Sequence, residues 1–133
     1  MTAPLSFAIT VQVQTSDIDE QKHVNNTVYL RWMQEIAIAH WRAIASPTAQ
    51  RSIGWVAVRH EIDYLAPAFL GDAIHLFTQV GKASRLTFER FTEVRRASDD
   101  KLLAKGRTLW CPVDPVTGRP VRVPADVRAQ FSL

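Results

Sequence analysis

This sequence predicts an α+β fold, with one antiparallel sheet of five strands packed on one long helix, and three patterns carry that prediction. A strand-like segment of period two opens the chain, a single uninterrupted helical stripe follows it, and four further strand-like segments come after the helix. At 133 residues the chain suits one domain, residues 1–133, able to remove roughly two thirds of its unfolded surface from water. Its 47% hydrophobic and 22% charged residues lie in the ordinary globular range, so the whole chain is expected to fold.

Over residues 7–15, Phe7, Ile9, Val11 and Val13 alternate with Ala8, Thr10, Gln12 and Gln14, the pattern of a half-buried first strand. Residues 16–22 are polar and aperiodic, which reads as a loop. From 27 to 44 the residues Tyr29, Trp32, Met33, Ile36, His40 and Ala43 recur three or four apart with no Gly or Pro between them. That spacing gives a helix roughly 27 Å long with one face made for burial. Asn25, Asn26 and Thr27 are candidate N-caps, and Ser46 and Pro47 supply the stop.

Strands are expected over 53–65, 73–81, 85–96 and 101–111, broken by Pro67, Gly71, Gly81 with Lys82, and Asp99 with Asp100. In the first of them Val56, Val58, His60, Ile62 and Tyr64 face one way, and Trp55, Ala57, Arg59, Glu61 and Asp63 the other. An antiparallel meander is the simplest connection between these strands. The proline-rich stretch 112–124 marks a loop, and 125–131 is expected to add one or two helical turns. A lone amphipathic helix hides its stripe by lying across the concave face of the sheet.

Composition excludes several classes of function. The single Cys111 allows no intrachain disulfide or multi-thiolate metal site, and it fits a reducing cytoplasm. Residues 1–10 lack a secretory signal, and no apolar run approaches the ~20 residues that span a bilayer, so a soluble, cytoplasmic protein with no membrane insertion is expected. Sixteen basic against thirteen acidic residues leave a net charge of +3, scattered along the chain. With no RNA-recognition or zinc-finger pattern beside them, these charges suit a phosphate-bearing ligand better than nucleic acid. There is no GxSxG elbow, no GxGxxG or P-loop, and no metal-ligand spacing among the four histidines; neither a cofactor nor a metal is expected.

Chemistry is concentrated in DIDEQKHVNN at 17–26, which joins the first strand to the helix. A carboxylate there lies near unpaired backbone amides at the positive end of the helix dipole, and such amides also polarise a carbonyl oxygen. Acyl transfer needs both parts. Taken alone, the same residue types are ordinary turn and cap residues. His23 alone reads as a hydrogen-bonded loop residue, and Tyr29 and Trp32 as core.

DIDEQKHVNNTVYLRW, EIDYLAPAFLGD at 61–72 and DPVTGRPVRVP at 114–124, in that order and spacing, resemble the 4-hydroxybenzoyl-CoA thioesterase-like hotdog family. The HVNN form of the first block also resembles long-chain acyl-CoA thioesterases and plant acyl-carrier-protein thioesterases. The resemblance implies a hotdog fold, a five-stranded antiparallel sheet wrapped around one central helix, and hydrolysis of an acyl-CoA thioester. It places the catalytic carboxylate at Asp19, as nucleophile or general base, and leaves Asp17 structural. It puts the oxyanion-binding N–H at Asn26 and a supporting role at His23. Gln21 aligns with a residue that is Asn in the plant enzymes, and Lys22 stands where many relatives have Gly.

Asn25, Tyr29, Arg59, His60 and Glu61 are the candidate substrate-binding residues, the last three offered by a partner subunit. The resemblance implies a homodimer or dimer of dimers with sites shared between chains, and exposed sheet edges independently favour pairing. The alternatives are a thioesterase acting on acyl-carrier protein and a non-catalytic acyl-binding module. A thiolate leaves readily, since a free thiol has a pKa near ~8.5, so a strong general acid is dispensable.

Overall fold

The structure, a computed structural model, describes residues 6–131; residues 1–5 and 132–133 of the expected single domain lie outside the described residues. Strands β1 (Ser6–Gln12), β2 (Gly54–Tyr64), β3 (Ala73–Ala83), β4 (Phe88–Arg96) and β5 (Leu102–Val113) form one antiparallel sheet in the order β1-β3-β4-β5-β2. Helix α1 (Asn26–Ile44) lies against it, chiefly over β3 and β1, and two short helices, α2 (Pro47–Ser52) and α3 (Ala125–Phe131), complete the chain. This is the α+β hotdog architecture.

Only β3, β4 and β5 form the expected meander. The crossover through α1 carries the chain over the sheet, so β2 arrives at the far edge beside β5, and β1 pairs with β3. The first strand also stops three residues short of the expected end. Asp17 draws the chain into a 3-10 turn at Thr15–Asp17 by accepting the Gln14 N–H. The stop after α1 starts a new helix. Ser46 caps α2 through the Ala49 N–H, and Pro47 takes the first helical position, where its missing donor costs nothing.

Trp32, Met33 and Ile36 on the buried face of α1 pack with Ile74, Leu76, Val94, Leu103 and Ala104 of the sheet. Gly106 admits the helix here, because a Cβ at that position would lie 2.6 Å from the Met33 sulfur. A second cluster joins the far end of α1 to α2 and α3 through Trp41, Ala49, Phe88, Val127 and Phe131.

Strict alternation along β2 fails at Val58. Ala57 pairs with Trp110 and Arg59 with Leu109, so Val58 is the extra residue of a β-bulge. The parity switches there. Val56 and Val58 are 49% and 56% exposed, while Trp55 on one side of the bulge and His60 and Ile62 on the other are half-buried. Among the described residues, no helix is long and apolar enough to cross a membrane.

Candidate active site

The loop between β1 and α1 is anchored at Asp17, which is 1% exposed. Its carboxylate accepts the Gln14 N–H at 2.8 Å and pairs with Arg31 of α1 at 2.9 Å, and its carbonyl accepts the Asn25 N–H. An isolated bridge between Ile18 and Val24 then pinches off residues 19–23. Within that tip the Asp19 N–H reaches the His23 carbonyl, the Lys22 N–H reaches the Asp19 carbonyl, and the half-buried Asp19 carboxylate accepts the Gln21 N–H at 2.9 Å. Lys22 closes the turn at φ +67°, a left-handed conformation that glycine adopts at no steric cost. His23 is exposed and meets the Phe69 ring edge-on.

Asn25 is the N-cap of α1, its side-chain oxygen accepting both the N–H and the hydroxyl of Thr27. The Val28 N–H bonds the Asn25 carbonyl. Asn26, the first helical residue, keeps a backbone N–H with no acceptor among the described residues, at the positive end of a 19-residue helix. The Tyr64 hydroxyl donates to the Asn26 carbonyl at 3.0 Å, tying the helix start to the C-terminal end of β2. Tyr29 points into the core instead. Its hydroxyl accepts the Ala68 N–H at 3.1 Å, and burial raises its pKa.

Asp19, His23, Asn25 and Asn26 are thus gathered at one end of α1, whereas Arg59, His60 and Glu61 stand apart on β2. Arg59 and Glu61 pair with each other at 2.7 Å on the face turned away from α1, and Glu61 also reaches Arg107, which is bonded to Glu89. His60 faces inward, with Nδ1 3.0 Å from the Thr108 hydroxyl, and burial lowers its pKa. Period-two alternation separates these three side chains between faces, and the bulge at Val58 sets which face each takes. Among the described residues, no three His, Cys, Asp or Glu side chains cluster as a metal site.

A family model described as the thioesterase-like superfamily matches residues 13–131. The chain belongs to that family. It is a thioester hydrolase, and the matched span holds the Asp19 loop, α1 and the sheet beyond β1. Among solved structures, the chain is similar to a thioesterase from Thermus thermophilus complexed with coenzyme A and Zn, at 26% identity and TM-score 0.82, covering 93% of this chain and 90% of that one. It is also similar in fold to a predicted thioesterase from Bacillus stearothermophilus (22% identity, TM-score 0.82, 96% and 94% covered). A 1,4-dihydroxy-2-naphthoyl-CoA thioesterase from Synechocystis shares the fold as well (20% identity, TM-score 0.81, 95% of each chain covered). No curated protein sequence matches the chain at a significant level.

In this member of the thioesterase-like superfamily a cavity of about 440 Å³ opens between the second half of α1, the inner face of the sheet and α3. Trp41, Trp55, Phe88, Trp110 and Phe131 form much of its wall, and Arg90 lines it too. Arg90 is 9% exposed and donates through Nη1 to His40 Nδ1 at 2.9 Å and to the Thr78 hydroxyl at 3.1 Å. Desolvation lowers the Arg90 pKa to about 10, leaving a cation at neutral pH, and lowers His40 to about 4. Sequence reasoning passed over Arg90. Its signal was an arginine at an inward position of a strand otherwise filled inward by Phe88, Thr92 and Val94.

Proposed function

We propose that this thioesterase hydrolyses acyl-CoA at a site made from the Asp19 loop of one subunit and the aromatic cavity of its partner. The observation that carries the reading is the pairing of functions in one short segment. A half-buried carboxylate is held by its own loop, and the next element begins with an N–H that has no acceptor among the described residues. The Asn26 N–H holds the thioester oxygen as charge develops on it. Asp19 removes a proton from water as the hydroxyl adds to the carbonyl carbon, or itself adds to that carbon to give a mixed anhydride that water then opens. Collapse expels coenzyme A as a thiolate, which takes up a proton from solvent or from the protonated carboxyl. His23 and Asn25 border the loop and line the approach of the coenzyme A portion. Tyr29 supports the site from beneath by fixing Ala68, and a lone cysteine suits a reducing cytoplasm.

The geometry of one chain favours a dimer. Asn26 and Ile38 are twelve positions apart on α1, or roughly 18 Å at 1.5 Å per residue, so the loop and the cavity are at opposite ends of the helix. Strand β2 is a free edge that runs from the cavity, at Trp55, to the helix start, at Tyr64. Antiparallel pairing of two β2 strands about their middles brings the Tyr64 end of one beside the Trp55 end of the other. The Asp19 loop then faces its partner's cavity, with Arg59, His60 and Glu61 near the two-fold axis. Coenzyme A is supported as carrier by the Thermus relative that holds it.

The test is a panel of short, medium, long and aromatic acyl-CoAs assayed with a thiol-reactive dye, with Asp19→Asn as control. Thiol release by the native protein and its loss in the variant are expected. Absence of release from every thioester would overturn the reading in favour of a non-catalytic acyl-binding role.

A further inference from the structure

We propose that the aromatic cavity receives the acyl group and that Arg90 selects acyl groups ending in a carboxylate, so that the preferred substrates are half-thioesters of dicarboxylic acids. The proposal rests on the thioesterase reading above and deepens it. Arg90 is a buried cation with no acidic partner among the described residues. Its two contacts inside the fold, His40 Nδ1 and the Thr78 hydroxyl, are neutral and occupy Nη1 alone. Nε and Nη2, the edge that meets a carboxylate in a two-point fork, have no partner among the described residues.

Among the described residues the cavity wall offers Arg90 no free anionic acceptor, its neutral amides being Gln34 and Gln50. His40 stays neutral above about pH 4, and while it accepts from Arg90 at Nδ1 its proton sits on Nε2, which is itself buried without a partner. The indole N–H groups of Trp55 and Trp110, two wall residues, also have none. The acidic wall residue Glu89 is taken by Arg107 and the Lys82 N–H. A largely buried cation with no counter-charge, at the wall of an open cavity, suits a ligand that brings negative oxygen. A plain alkyl chain would seal that cation away from water with nothing to balance it. The aromatic walls accommodate the methylene segment, and about 440 Å³ exceeds what a small diacid needs.

The experiment compares adipoyl-CoA with hexanoyl-CoA, and free adipate with hexanoate by quenching of tryptophan fluorescence, in the native protein, Arg90→Met and Arg90→Lys. The native protein is expected to prefer adipoyl-CoA at least tenfold in kcat/KM and to bind adipate more tightly than hexanoate. Arg90→Met should bring both ratios close to one, and Arg90→Lys should retain part of each. A native preference near one, or a preference unchanged in Arg90→Met, overturns the proposal. If Arg90→Met does not fold, the native ratio together with Arg90→Lys decides. Selective adipate binding without hydrolysis of any thioester would leave the Arg90 site standing and remove the catalytic reading. Hydrolysis without selectivity would do the reverse.

Discussion

The two carboxylates of the Asp17–Ile18–Asp19 triplet should respond to the same substitution in opposite ways. Asp17 uses both oxygens, one toward the Gln14 N–H and one toward Arg31, in a site 1% exposed. Asp17→Asn keeps one acceptor and turns an amide NH2 toward the other donor. Hydrogen bonds to charged groups contribute about 1.5–3 kcal/mol, and the Arg31 side must be discounted because that side chain is half exposed. A loss of about 2 kcal/mol remains. With roughly 2.1 cal/mol/K of unfolding entropy per residue, a chain this long loses about 7 °C in Tm. Asp19 uses one oxygen for the Gln21 N–H, which asparagine also serves. Asp19→Asn should therefore melt within about 2 °C of the native protein while kcat/KM falls at least ~100-fold, equivalent to about 2.7 kcal/mol of barrier. Differential scanning calorimetry and thiol-release kinetics on both variants test the assignment. A purely kinetic defect in Asp17→Asn, or near-native turnover in Asp19→Asn, refutes it.

Hydrolysis should persist in EDTA; complete loss, restored by a divalent ion, would contradict the metal-free mechanism. Activity per chain should fall with dimer content on dilution, as read by sedimentation beside kinetics, and a fully active monomer would rule out the shared site. Buried His40 has its pKa lowered to about 4, so the unfolded chain takes up a proton there first. Stability from this residue is intact above pH 6.5 and is lost as pH falls toward 4. His40→Gln, which keeps an acceptor for Arg90, should flatten that part of the Tm profile, and parallel profiles would argue against the assignment. Gly106→Val should cost about 1–3 kcal/mol in urea unfolding by pushing Met33 and α1 off the sheet, and an unchanged midpoint would mean that Met33 yields freely.

Elements with a strong period were legible in the sequence. Helix α1 matches its stripe to within a residue, and β3 and β5 open within one residue of the expected positions, because one buried face fixes the pattern. Three features were not legible there, two of them because they depend on contacts between distant residues. The order of β2 follows from a crossover that no local pattern encodes. The bulge at Val58 leaves a valine where valine was expected and reveals itself only in pairing to β5. Helix α2 was hidden because Ser46 and Pro47 end one helix and begin another with the same chemistry. Around the candidate site, the loop at 17–26 was visible as a cluster of polar residues, whereas Arg90 became visible only when β4 was seen to turn it inward beside His40, fifty residues earlier in the chain.

The bonds that shape the Asp19 tip join residues 17–25 to one another or to the first two turns of α1, apart from the Gln14, Thr15 and Ala68 contacts at its base. Such a unit is written in one continuous stretch of chain and holds its geometry with little reference to the cavity walls, which come from 34–55, 80–90 and 110–131. Divergence can therefore act on the two separately. On the proposed reading, replacing Arg90, Trp110 or Phe131 would retune which acyl group is accepted without redrawing the Asp19 turn, and the loop could be grafted onto a relative with different walls. A fold arranged this way has its reaction and its diet under independent hereditary control.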